Sequence, residues 1–192
     1  MTVSAWIETQ LAIGGALKLA RGDARGLGFF DTSLDGFWRS FRAALICYPM
    51  YLALLALRSP APPWSSAGTA TILVVETIAF VISWTAFPLL MLPLSRGLGR
   101  ENRFLAFMVT YNWCQVPQTV LFLIIGLDIA TGLLPGSAGD AIGFAAALAV
   151  MVYEWYIARV ALAIPAAQAV LVVLLDLVLG TALSRVAESL YS

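Results

Sequence analysis

The sequence predicts an all-α protein, a polytopic transmembrane helix bundle of about five spans with an N-terminal interfacial helix in front of them. Apolar residues make up 61% of the chain and charged residues 11%, and the mean hydropathy is +0.90. That is about half the charge of a soluble chain. The apolar residues also gather into runs close to the ~20 that a helix needs to cross ~30 Å of hydrocarbon. Glycine and proline mark several of the stretches between the runs.

Along the chain, Met1 to Ala20 places Val3, Trp6, Ile7, Ile13 and Leu17 against Glu8, Thr9 and Lys18 on other faces. This stripe reads as an interfacial helix on the cytoplasmic surface, with a frayed tail as the alternative. Its basic residues follow the apolar part, the reverse of a secretory signal. In Arg21 to Arg42, Gly22, Gly26 and Gly28 predict a loop. Asp31, Thr32 or Ser33 is placed to cap a helix from Leu34, with Asp35 in its first turn. Phe37 and Phe41 with Trp38, Arg39 and Arg42 form an aromatic and basic collar, the last three being the interfacial anchors.

The first span runs from about Ala43 to Leu57 and is short. Pro60, Pro62 and Pro63 make residues 59–68 a loop. The second span, Thr69 to Leu94, holds Glu76 and is interrupted at Pro88. After a basic loop with Arg96, Arg100 and Arg103, the third runs from Phe104 to Leu127 and is kinked at Pro117. Asp128 to Asp140 reads as a loop. The fourth span, Ile142 to Ala163, carries Gly143 and Ala147 at the spacing that lets another helix approach closely. The fifth covers Pro165 to Leu183. The domains are therefore 1–42, a cytoplasmic interfacial helix and polar lead-in; 43–184, the five-helix membrane domain; and 185–192, a short non-cytoplasmic tail. An N-terminus in the cytoplasm puts Lys18, Arg21, Arg25, Arg39, Arg42, Arg96, Arg100 and Arg103 inside and leaves Arg58 and Arg185 outside. This is the positive-inside pattern. It predicts a bacterial inner membrane protein with a periplasmic C-terminus. One lysine among ten arginines fits a GC-rich bacterial genome.

At equal depth the buried polar residues form a layer. Glu154, Asp176 and Gln115 sit about halfway along their spans, Asn112 and Arg159 nearer the cytoplasm, Glu76 nearer the outside, and Gln118 flanks Gln115. Asn112, Gln115 and Thr119 share one helix face. Ionisable groups at such depth face protein or water rather than lipid. Glu154 and Arg159 stand roughly 140° apart around their helix, so each needs a partner from elsewhere. Asp176 or Asn112 is the expected partner of Arg159, and Gln115, Gln118 or Tyr111 that of Glu154. Interhelical hydrogen bonds, roughly 0.6–2 kcal/mol each, are the purely structural reading of this layer.

The chain has no histidine, which removes His ligation and every His base. Cys47 and Cys114 read as small buried residues rather than a disulfide or metal site. No phosphate cradle or dinucleotide fingerprint appears. The stretch Gly136 to Asp140 is one residue off an intramembrane aspartyl protease motif and reads as a turn. No enzyme, metal, cofactor or nucleic acid partner is expected. The partners expected are the lipid bilayer and other membrane proteins or a second copy. Phe29 to Ala43, reading FFDTSLDGFWRSFRA, with the short span after it, resembles the opening of five-span membrane proteins of alphaproteobacteria. The five-span, N-in plan over Phe29 to Arg185 also resembles the Yip1-like group. That resemblance implies a helical bundle and no site, because the D-L-Y-G-P motif is absent. The resulting expectation is a non-enzymatic accessory or assembly component working through lateral helix contacts. The alternative is a small transporter or proton-linked channel built on the polar layer.

Overall fold

The computed structural model describes residues 5–58, 68–134 and 136–191. Among them are seven α-helices and no strand: α1 (Ala5–Ala20), α2 (Leu34–Ser40), α3 (Arg42–Arg58), α4 (Thr69–Gly97), α5 (Phe104–Ala130), α6 (Gly136–Leu162) and α7 (Ala166–Ser189). Five stretches are long and apolar enough to cross a membrane, α2 and α3 together supplying the first. The expected loop over residues 59–67 lies outside the described residues, as do Met1 to Ser4 and the Arg58 side chain.

The pillar of the bundle is α5. It packs against α3 and α6 along its length and also touches α1, α2 and α4, while α7 closes against α6 and α4. It therefore buries side chains on several faces, among them Phe107, Met108, Trp113 and Cys114. By contrast Leu89 on α4, Phe144 and Val152 on α6, and Val178 on α7 are exposed, as helix faces turned to hydrocarbon should be. Both cysteines are free and buried.

Several boundaries differ from the sequence reading. Asp128 lies in the last turns of α5 and Asp140 inside α6, so the expected loop shrinks to a turn around Gly132. The left-handed φ of +74° at Gly132 lets the Leu133 amide reach back to the Asp128 carbonyl at 3.0 Å, which closes the helix end within a few residues. Residues 136–140 are thus the start of a helix, not a turn. Helices α4 and α5 run through Pro88, Pro93 and Pro117, and α3 through Pro49. Each proline forgoes one backbone bond without ending its helix, as membrane helices tolerate. Helix α7 continues past Arg185 to Ser189. Gly143 meets nothing within 4 Å, so no helix among the described residues approaches closely there; Gly139, against Ile129, is the glycine on which α6 approaches α5. Between α6 and α7 the tight joint has Ala163 at φ +54°, where a side chain costs about 1–2 kcal/mol.

The N-terminal segment folds as a layer across one end of the bundle. After α1 the chain turns at Gly22 and returns as a short 3-10 stretch, Ala24–Phe29. Gly15 and Gly26 let the two segments meet backbone to backbone: a Cβ on Gly26 would stand 2.5 Å from the Gly15 carbonyl oxygen. Asp23 caps that stretch and pairs with Arg25, whose guanidinium holds its carboxyl below the usual carboxylate range. Ser33 caps α2 at Leu34, accepting from the Gly36 amide at 3.0 Å. Two hydroxyls fix the layer to α6: Tyr153 donates to the Ala16 carbonyl and Tyr156 to the Gly22 carbonyl, each at 2.7 Å. Glu8 accepts from Arg39 at 2.9 Å and from Arg42 at 3.3 Å, and Arg39 also pairs with Asp31. These anchors are thus partly turned onto α1, while Trp38 faces outward and Trp6, Ile7 and Leu11 stay exposed.

Candidate functional site

Helices α3, α4, α5 and α7 leave a cavity of about 300 Å³ between them. Long side chains bridge α3 and α4. The hydroxyls of Tyr48 and Thr77 are 2.8 Å apart, and Phe80 packs against Tyr48 and Tyr51 with ring centroids at 5.3 and 5.1 Å. From α5, the face formed by Asn112, Gln115 and Thr119 lines the cavity together with Tyr111. Phe87 of α4 stacks on Tyr111 at 4.3 Å. From α7 comes Asp176, whose Oδ1 accepts from the Tyr111 hydroxyl at 2.7 Å.

Glu154 is not part of the cavity wall. It approaches Asp176 from α6, with the two carboxyl groups in hydrogen-bonding reach, and Gln115 lies against the Tyr111 hydroxyl. Around this pair the other titratable groups are Tyr111 and Cys114 of α5 and Tyr153 of α6; the nearest acid of α4 is Glu76. Two carboxyl groups share a hydrogen bond only when one proton lies between them, since an ionised carboxylate only accepts. A proton between Asp176 and Glu154 would join them, and of the two only Asp176 faces the cavity.

The remaining residues of the predicted polar layer fall elsewhere. Asn112 donates to Ser40 Oγ at 2.8 Å, tying the cavity to α2. Glu76 closes the far end, accepting from Tyr191 at 2.5 Å and from Tyr51. Roughly 16 Å of helix rise separates Glu76 from Phe87 at the Tyr111 level. Gln118 is buried on another side of α5, its Nε2 without a hydrogen-bond partner among the described residues. Arg159 does not join Asp176 or Asn112. It is exposed, its guanidinium 4.9 Å from the Trp155 ring centroid. The ~140° between Arg159 and Glu154 is the reason: with Glu154 turned to α7, Arg159 points out of the bundle. Glu154 likewise pairs with Asp176 and not first with an amide.

Sequence reasoning missed the walls. Phe80, Trp84 and Phe87 fall on one side of α4, and Tyr51 faces them from α3. Their spacing was visible, but aromatic residues at helical spacing are ordinary core. Among the described residues no group of three or more His, Cys, Asp or Glu is placed to hold a metal ion. The chain matches no family profile, no curated protein and no solved structure.

Proposed function

We propose that the protein is a proton-linked carrier of a small solute in the bacterial inner membrane, with its N-terminus in the cytoplasm. The observation that carries this is the cavity of about 300 Å³ between four helices, with Asp176 in its wall and Glu154 behind it. The volume is at the lower end of the range for small-molecule sites, ~300–1,000 Å³. Ionisable groups kept inside a membrane domain mark solute and proton paths. The orientation rests on the arginines and Lys18 gathered in α1, the α2–α3 junction and the α4–α5 turn.

Proteoliposomes loaded with a pH-sensitive dye test this reading. Outward gradients of sugars, amino acids, carboxylates and alkylammonium ions would be imposed in turn. One class is expected to drive proton movement that Asp176→Asn and Glu154→Gln abolish while both variants stay folded. Proton movement under no gradient, or movement indifferent to both variants, would sink it. One observation favours a second reading, that of an accessory subunit acting through lateral contacts: Gly143 is open beside the exposed Phe144, Leu148 and Val152 of α6. Native mass spectrometry after gentle extraction decides it, a complex of fixed stoichiometry supporting it and a lone monomer removing it.

A further inference from the structure

The carrier reading leaves the solute open, and the cavity wall narrows it. Its charged residues are acids, Asp176 and Glu76, and it contains no lysine or arginine among the described residues. Glu76 is held by two tyrosine hydroxyls at the far end. Asp176 instead spends one oxygen on Tyr111 and lines the wall, with Glu154 of α6 behind it. The wall also carries several aromatic rings. Phe87 and Tyr111 are stacked at 4.3 Å, and Phe80 and Trp84 are 5.9 Å apart. Ring faces attract cations electrostatically, and more strongly where water is excluded. An anion would meet two acids and no donor of opposite charge. A polyhydroxylated solute would find more ring and aliphatic surface than hydrogen-bonding groups.

Building on the carrier reading, we propose that the cavity binds a small monovalent organic cation of the alkylammonium class. Its charge lies against Asp176 and its carbon sheath against Phe80, Trp84, Phe87 and Tyr111. The ligand must be compact, because the cavity is small and bounded at one end by Asn112 held on Ser40. A single positive charge suits Asp176, the acid of the wall that is not held by two tyrosine hydroxyls.

Three probes of one shape and different charge separate this from the alternatives: choline, 3,3-dimethylbutanol and 3,3-dimethylbutyrate. Each would be titrated by calorimetry into the full chain in lipid nanodiscs. The expected result is choline binding at least ~10-fold tighter than the neutral alcohol, the preference that a desolvated cation–π and carboxylate site confers. Asp176→Asn removes that preference. Trp84→Leu, which leaves every carboxyl in place, weakens choline several-fold and the alcohol little. Equal or tighter binding of the alcohol or the butyrate overturns the assignment, as does a preference that survives both variants. If none of the probes binds while another solute drives Asp176-dependent proton movement, the cation assignment fails and the carrier reading stands. If no solute drives such movement, both fail.

Discussion

Asp31 shows how one residue ties local chain chemistry to the fold. Its carboxylate accepts from the Ser33 amide at 3.0 Å and pairs with Arg39, which in turn holds Glu8 of α1. The Ser33 hydrogen bonds, then the Arg39 charge, keep its carboxyl below the ordinary value, which is about 3.9. A carboxyl depressed in the folded state stabilises fully above its unfolded pKa and loses that contribution as pH falls through the folded one. The protection of the α2 amides, with exchange corrected for its intrinsic slowing in acid, should therefore fall between pH 6 and pH 3 in the native chain. In Asp31→Asn the acid-linked fall should be smaller. An identical acid response in both would show that the Asp31 contacts do not hold the start of α2. Residue-level chemistry of this kind was legible from the sequence as a cap near Leu34, because caps are local. The pairing of Glu154 with Asp176 was not, because it depends on which helices become neighbours.

At the scale of elements, the short N-terminal helix was legible as a helix, and its mode of attachment was not. The stripe of apolar residues gave no hint that Gly15 and Gly26 would meet, since the contact is made by backbone and leaves no hydropathy signal. Adding a methyl group at Gly26 should drive the 3-10 stretch off α1, at a cost of about 1–3 kcal/mol typical of overpacked sites. Limited proteolysis around residues 20–30 reads this directly. Gly26→Ala is expected to be cut faster than the native chain, while Gly28→Ala, which meets nothing within 4 Å, should match it. Equal rates for Gly26→Ala and the native chain would place the attachment elsewhere, in the Tyr153 and Tyr156 bonds. The span count and the run of each membrane helix were readable because length and apolarity are one-dimensional properties. The spans read through Pro88 and Pro117 are single helices, because in a packed membrane bundle a proline removes one bond without ending its helix.

For the whole molecule, the central position of α5 sets where damage matters. Trp113 is 2% exposed at the middle of the pillar, and Leu89 is 72% exposed on the outer face of α4. Truncating a buried tryptophan to alanine costs about 3–5 kcal/mol, and a change on an exposed face stays within about 0.5 kcal/mol. Unfolding of Trp113→Ala and Leu89→Ala in mixed micelles with rising detergent should differ by that margin. Similar midpoints would mean that stability is spread evenly over the bundle and that α5 is no pillar. The prolines then bear on mechanics. Of the four helices that enclose the cavity, α3, α4 and α5 each contain proline, and α7 has its Pro165 only at the cap. Three walls thus carry a built-in point of bending compliance and the fourth does not. Asp176, on the stiff wall and braced by the proline-free α6, would stay at fixed depth while the aromatic walls flex around it.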